Sequence, residues 1–293
     1  MYALVVFPVG MNKDLITANK PLIDIRYNSQ FLLVGKLLSS QIQLSLGNGL
    51  VTLGAKKLLL SGTHSESLAA SLSPVTSQTT ALFNRNNSYV GFLVLPVLIA
   101  LWQILSVFVF MNSLNAELKP AEGKPKLAAD FWQSVIAKVL LLTPIMLVHG
   151  SFILVWLYLY LALPIAGSIG LLMIAQLAML LTLWVIACFI FLIIREKASC
   201  ISICTALFAP AFAFMGITFP VNDMPLLAQW WRLIMPSSHY IDSHVGIVSY
   251  GEALPQLLTQ LGSYWIFLPL IPLIFILSRF AVERSSIEPE GGQ

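Results

Sequence analysis

The chain is expected to fold as an α-helical polytopic membrane protein, with five transmembrane helices present and a small α/β extracytoplasmic domain at its N-terminus. Three observations lead there. Of 293 residues, 58% are hydrophobic and only 10% are charged, and a mean hydropathy of +0.85 exceeds what a soluble core requires. Five stretches after residue 89 supply the roughly 20 apolar helical residues that cross a hydrocarbon layer about 30 Å thick. Residues 1–89 instead alternate short apolar runs with polar, Gly-bearing and Ser/Thr-rich segments.

Within that head, LVVFP and PLIDIRYN read as short strands, and NKDLITAN between them reads as a helix with an Asn cap. From Ser29 onward, FLLVGKLLSSQIQLSLGNGLVTLGAKKLLL repeats apolar residues at three and four, the spacing of an amphipathic helix, weakened by Gly47, Gly49 and Gly54. Ser71 to Thr80 is rich in Ser and Thr and contains a Pro, so it is expected to return to the membrane as an extended segment. No internal repeat with a period of 20–50 residues is evident.

The spans are expected at about 90–112, 139–162, 168–194, 198–219 and 260–280. This gives an extracytoplasmic domain over 1–89 and a transmembrane domain over 90–280, with a loop at 113–138, an outer re-entrant segment at 216–250 and a tail at 281–293. Lysine and arginine orient the chain, because short translocated loops lack them. Lys119, Lys124, Lys126 and Lys138 follow the first span, Arg195 and Lys197 join the third and fourth, and Arg279 and Arg284 end the last. With five crossings these places share one side, which is assigned to the cytoplasm together with the C-terminus. The opposite side carries an uncharged LPIAGS turn at 163–168 and the segment 220–258, whose only Lys or Arg is Arg232. Residues 1–89 then lie outside. Because MYALVVFPVG lacks the length and basic flank of an export signal, a sixth span preceding the head is expected in the full-length protein.

GITFPVNDMPLLAQWW, residues 216–231, gives the outer segment its character. Pro220 and Pro225 are expected to stop the fourth helix near the outer surface, since a broken helix at membrane depth must be covered by protein or water. Trp230 and Trp231 suit the headgroup layer, Pro236 ends the short segment, and Tyr240 is expected to supply another interfacial ring. A broken outer hairpin capping a cavity is the economical arrangement. Cys188, Cys200 and Cys204 lie in or beside spans and form no CxxC pair, so packing is their expected role. A net charge of +3 on scattered lysines gives no nucleic-acid surface.

The stretch APAFAFMGITFPVNDMPLLAQWWRLIMPSSHYIDSHVGIVSYG resembles the C-terminal signature of type-2 ABC transporter permeases, the transmembrane subunits of bacterial drug-efflux exporters. That signature is a proline-bearing span, a Gly-x-x-Phe-Pro, a Met-Pro and a Pro-x-x-x-Tyr, matched by Pro210, Gly216, Phe219, Pro220, Met224, Pro225, Pro236 and Tyr240. LFNRNNSYVGFLVLP is similar to the family's approach to its second span through Phe83, Asn84, Ser88, Tyr89 and Phe92. The resemblance implies six spans, an outer gate built from the eight signature residues, and a cytoplasmic contact loop with an acidic element, a Gly-Thr and a Gly-Lys. Here Glu117 and Lys138 keep the acidic and lysine positions, while the Gly-Thr and the second glycine are absent.

No GxxxxGK[ST] phosphate loop occurs, so this chain is expected to bind no nucleotide by that route. The resemblance implies that ATP and Mg sit on separate ATP-binding cassette ATPase subunits, alongside a second permease copy or paralogue, with a periplasmic adaptor as a partner for the head. Glu117, Lys119, Asp130, Trp132 and Lys138 are the candidates for ATPase coupling. DFWQSVIAK could lie as an amphipathic helix at the interface with Trp132 as its anchor, although an ordinary basic loop enforcing topology would read the same. His149, with Gly150 and Ser151, is a translocation-path candidate, because an intramembrane ionisable group marks function by default; a neutral His bonded to a neighbouring helix is the plainer reading, as for Gln103 and Gln176. Phe208, Phe212 and Phe219 share a rough face at helical spacing, fit for a greasy path or for packing.

PSSHY at 236–240, with Asp242 and His244, has the residue types of a lipid-phosphate phosphatase, but lacks the basic cluster that would hold a phosphate. An interfacial turn is expected there instead. No catalytic, cofactor-binding or metal-ligating residue is assigned. The function implied is an ATP-driven exporter subunit for a hydrophobic or amphipathic substrate in a bacterial inner membrane. An ion-coupled secondary transporter, which would show inverted repeats and charged broken helices, and an integral-membrane phosphatase are the alternatives.

Overall fold

The computed structural model describes residues 3–16, 21–29, 32–61, 76–82, 93–119, 126–127, 130–217 and 221–287, and the chain divides into two units, Met1–Leu93 and Val94–Gln293.

In the first unit, β1 (Ala3–Val6), α1 (Met11–Ile16), β2 (Leu22–Asn28), α2 (Leu32–Ser61) and β3 (Thr76–Leu82) follow one another. The sheet order is β1-β2-β3, with β1 antiparallel to β2 and β2 parallel to β3, from Leu22↔Thr76 to Asn28↔Leu82. A parallel neighbour needs a long crossover, and the 30 residues of α2 lie within it. The Ser/Thr-rich segment is therefore not simply an extended lead to the membrane: its second half is the third strand, where β-branched threonines fit the pleat. The helix α1 also begins one residue before Asn12. The Gly10 carbonyl accepts from the backbone N–H of Lys13 and Asp14 at 2.9 and 3.2 Å, so Gly10 holds the cap position expected of an asparagine. Ile42, Leu46 and Leu50, at helical spacing on α2, cover Ile23 and Ile25 on the sheet, and α2 runs unbroken through its glycines.

The second unit is helical. Its elements are α3 (Leu95–Asn115), the paired short strands β4 (Leu118–Lys119) and β5 (Lys126–Leu127), α4 (Phe131–Val155), α5 (Ile169–Ile194), α6 (Lys197–Phe208), α7 (Ala211–Phe214), α8 (Leu226–Ile234), α9 (Pro236–Tyr250), α10 (Leu254–Leu261) and α11 (Leu270–Ile287). The helix α4 continues as a π-helical turn, Trp156–Tyr160. Among the described residues five helical segments are long and apolar enough to cross a membrane, namely Leu95–Asn115, Phe131–Tyr160, Ile169–Ile194, Lys197–Phe214 and Leu254–Ala281.

Helix α5 is the axis. In its most apolar window 61% of residues are buried, against 22% for the segments Phe131–Tyr160, Lys197–Phe214 and Leu254–Ala281, and α3, α4, α6, α9, α10 and α11 all pack on it. It starts at Ser168, whose hydroxyl accepts from the Gly170 N–H at 3.2 Å, and ends at Arg195 in the left-handed region. One residue on, the Glu196 carboxylate caps α6, accepting from the N–H groups of Ala198 and Ser199 at 2.9 and 2.7 Å. Bonds at Ser199 and Ala198 hold that carboxyl below its usual range. Aromatic contacts bind the spans together: Phe110 meets Trp184 with ring centroids 4.5 Å apart, and Phe131 stacks on Phe191 at 6.0 Å.

Two expectations about the fourth span are corrected. Its helix breaks at Ala209 and Pro210 and ends at Phe214, earlier than Pro220, because a proline removes a helical N–H and crowds the preceding turn. Pro225 does not stop a helix but stands as the cap that opens α8.

Candidate functional site

At one end of the bundle the loop between the first two spans is fastened on three sides. Glu117, two residues past α3, accepts from the Ser134 hydroxyl at 2.6 Å and is ion-paired with Lys138 Nζ. Lys138 Nζ also donates to Ser134 Oγ at 2.6 Å, and both ion-pair side chains are only 17% exposed. Burial pushes the Glu117 carboxyl upward, but hydrogen bonds from Lys138 and Ser134, with the lysine charge, outweigh it and hold the carboxyl below its usual range. This geometry arises because Ser134 and Lys138 are four apart on α4 and so share one face. The strand β5 lies against α11. The Trp132 indole N–H donates to Ser278 Oγ of α11 at 2.8 Å, and its ring meets Phe275 at 6.0 Å. The Arg279 guanidinium lies 4.6 Å from the Phe275 ring centroid.

Of the coupling candidates, the structure therefore joins Glu117 with Lys138 and ties Trp132 to the last span. Asp130 is exposed just before α4 and makes no side-chain cap bond, and Lys119 lies in β4. DFWQSVIAK is not a separate interfacial helix. From Phe131 it is the first turns of the second span itself, since the apolar pattern continues without a break into VLLLTPIML.

The other end carries the 216–250 segment. Pro236 opens α9, and the Ser237 N–H donates to Gln103 Oε1 in the middle of α3 at 3.1 Å. At the far end of α9, the Ala166 N–H in the 163–168 turn donates to Val248 O at 2.9 Å. The helix thus has its N-terminus at the level of mid-α3 and its C-terminus beside the turn. Tyr240 and PSSHY are consequently not an interfacial ring and turn: Ser237, Ser238 and Tyr240 are fully buried and His239 nearly so. Their hydroxyl and imidazole groups find partners inside the bundle. His244 Nδ1 lies 3.1 Å from Tyr240 Oη, and His244 Nε2 lies 2.5 Å from Tyr158 Oη in the π turn. His239 Nε2 is 2.9 Å from Leu233 O. Arg232 Nη2 reaches both oxygens of Asp242 at 2.5 Å, so the cation that a phosphatase would need is already paired.

The remaining outer candidates fall around this hairpin. Gly216 has φ +96°, and a Cβ there would lie 2.9 Å from Val221 Cγ2 and 3.4 Å from Arg232 Nε, so only glycine fits without displacing them. The Met224 carbonyl accepts from Gln229 Nε2 at 2.9 Å. Pro210 sits in the α6–α7 break. Phe219 and Pro220 lie outside the described residues, as do Phe83, Asn84, Ser88, Tyr89 and Phe92 of the approach to the first span. The helix break also separates Phe208, buried at the end of α6, from half-buried Phe212 in α7, so they do not form one face of a continuous helix.

His149 is exposed on α4 and makes no hydrogen bond among the described residues. It borders a cavity of about 240 Å³ with Leu98, Trp102, Phe152, Ile153 and Trp156. The expected bond to a neighbouring helix is made instead by Gln176, whose Nε2 donates to Gly150 O at 3.2 Å, and by Gln103. A Cβ on Gly150 would lie 2.9 Å from the Trp102 ring and 3.0 Å from Gln176 Oε1; glycine is what lets α3, α4 and α5 approach there. Sequence reasoning missed Tyr158, His244, Ser237 and the Trp132–Ser278 contact. The four-residue spacing of Tyr240 and His244 was a readable signal, but partners 86 and 146 positions apart, as in Tyr158–His244 and Trp132–Ser278, leave none.

A bundle of apolar spans around one buried axis, with a re-entrant outer helix and a braced loop at the opposite end, is the architecture of a polytopic membrane permease. The profile of the ABC-2 family transporter proteins matches residues 1–277, and the chain belongs to that family, the type-2 ABC transporter permeases. No curated protein and no solved structure gives a significant match. The family makes the chain a transport subunit, one that works with ATP-binding cassette subunits.

Proposed function

We propose that this permease is the membrane half of an exporter that moves a hydrophobic or amphipathic substrate out of the cytoplasm, driven by ATP hydrolysed with Mg on separate ATPase chains. The observation that carries the reading is the braced loop. Glu117 binds α3 to α4 through Ser134 and Lys138, and Trp132 and β5 bind the same region to α11. A push on this loop by an ATPase is therefore delivered to three spans together, as a stiff lever requires. The basic residues that flank it place this end in the cytoplasm of a bacterial inner membrane, with the re-entrant helix and the N-terminal unit on the periplasmic side, where an adaptor could meet the head. A second permease copy or paralogue completes the conduit. His149 and its cavity, with Phe208 and Phe212, are the candidate substrate contacts, and Pro210, Gly216, Phe219, Pro220, Met224, Pro225, Pro236 and Tyr240 are the candidate outer gate.

The test is purification of the complete protein from its own cells, followed by reconstitution into vesicles with the ATPase that accompanies it. ATP-dependent accumulation of a lipophilic dye in inside-out vesicles is expected. Transport by the permease alone, driven by a proton gradient, would overturn the reading.

A further inference from the structure

Where the head of α9 enters the bundle, polar groups outnumber their partners. Gln103 and Ser106 lie one turn apart on α3, Gln176 on α5, and Ser237 and Ser238 in the first turn of α9; each is at most 3% exposed. Yet Gln103 Nε2, Ser106 Oγ, Gln176 Oε1, Ser237 Oγ and Ser238 Oγ have no hydrogen-bond partner among the described residues. The bond from the Ser237 N–H to Gln103 Oε1 fixes the Gln103 amide at the head of α9, so Gln103 Nε2 and the two serine hydroxyls converge on one place. A short way along the bundle, Gln176 and Tyr240 line a cavity of about 10 Å³ together with Trp102, Leu95, Leu98, Ile99, Ile153 and Leu154. That volume suits one water molecule.

We propose that this junction binds ordered water inside the membrane-spanning bundle: one molecule between Gln176 Oε1 and Tyr240 Oη, and more at the head of α9 among Gln103, Ser106, Ser237 and Ser238. The donor and acceptor inventory selects water over an ion. Gln176 Oε1 can only accept, Gln103 Nε2 can only donate, and the three hydroxyls do either, while the cluster holds no charged side chain that could offset a buried ion. Buried polar atoms of mixed character are the setting in which internal waters are held, each with two to four polar partners. The first molecule joins Gln176 to the chain already formed by Tyr240, His244 and Tyr158, and gives a continuous hydrogen-bonded seam along the re-entrant helix. Contacts of α9 with α3 and α5 can then be exchanged through water without exposing bare polar groups to hydrocarbon. This inference does not depend on the direction or energy source of transport.

X-ray radiolysis of the full chain in lipid nanodiscs tests it, because hydroxyl radicals formed from a bound water oxidise the side chains that touch it. Tyr240 and Trp102, buried at 0% and 2% exposure, are expected to be oxidised at least about tenfold faster than Phe110 and Phe191, which are equally buried in apolar surroundings. Gln176→Leu is expected to reduce oxidation of Tyr240 about tenfold while exposed Trp230 reacts as before. Tyr240 and Trp102 as inert as Phe110 and Phe191 in the wild-type protein would overturn the proposal, a result that needs no variant to fold. So would unchanged oxidation of Tyr240 in Gln176→Leu.

Discussion

Replacing Lys138 by methionine keeps the aliphatic length of the side chain and removes the charge that faces Glu117. The wild-type carboxylate is ion-paired to Lys138 and bonded to Ser134 at 2.6 Å, with both ion-pair side chains 17% exposed. That exposure lies between the surface pairs worth roughly 0–1 kcal/mol and the buried pairs whose disruption costs roughly 3–5 kcal/mol, so a loss of about 2 kcal/mol is expected at pH 7. For a transmembrane unit of this size the loss corresponds to a fall in Tm of about 4–8 °C. The pH dependence has a definite sign. Glu117 is held below its ordinary pKa of 4.5, so its contribution to stability is fully present above that value and is lost as pH falls through the lowered folded-state pKa. In Lys138→Met that contribution disappears, and the Tm difference between the two proteins should shrink on acidification below the ordinary carboxylate range. The assay is thermal unfolding in nanodiscs at neutral and acid pH, with ATP turnover and dye transport measured in parallel on vesicles. Insertion and basal ATP turnover are expected to persist while dye moved per ATP falls. A variant that melts with the wild type and transports with the same stoichiometry would refute both the brace and its role as a lever.

Tyr158→Phe leaves His244 Nε2 unpaired in the bundle and should cost about 1–3 kcal/mol; a double-mutant cycle with His244→Leu reads the coupling, which should be near zero if the two side chains do not interact. Gly150→Val places methyl groups against Trp102 and Gln176, where overpacking costs about 1–3 kcal/mol, and a variant of wild-type thermal stability would show that the three spans are looser than described. Gly216→Ala forces a Cβ onto a left-handed backbone beside Val221, and strain of about 1–3 kcal/mol should appear as faster proteolysis within 216–235; an unchanged cleavage pattern would count against a constrained hairpin. Arg232→Gln breaks a pair whose Asp242 side chain is 52% exposed, so a change of no more than about 1 kcal/mol is expected, smaller still at high salt.

The spans were legible because nothing else explains runs such as LLMIAQLAMLLTLWVIACFIFLII, and α5 runs to Ile194 as its hydropathy implies. The strands β1 and β2 were legible from their punctuation, whereas β3 was not: TSQTTAL has no apolar alternation, and its place beside β2 is set by the crossover through α2. The outer segment was read correctly as interrupted and wrongly as superficial. An aromatic followed by polar residues looks the same at a headgroup layer and at the root of a re-entrant helix, and only the partners Gln103 and Tyr158, far off in sequence, distinguish the two. The candidate coupling loop shows the same division. Glu117 and Lys138 could be named from the resemblance, but that they pair with each other follows from the short path the chain takes between α3 and α4, which composition does not encode.

The π-helical turn at Trp156–Tyr160 has a practical bearing on any map of this second span. An extra residue in one turn offsets everything beyond it by about 100° relative to an ideal wheel, so positions before Val155 and after Tyr160 that a helical projection would align in fact point in different directions. Crosslinking pairs chosen from such a projection would miss their targets beyond the offset, and deleting one residue there would swing the Tyr158 hydroxyl away from the imidazole it now meets.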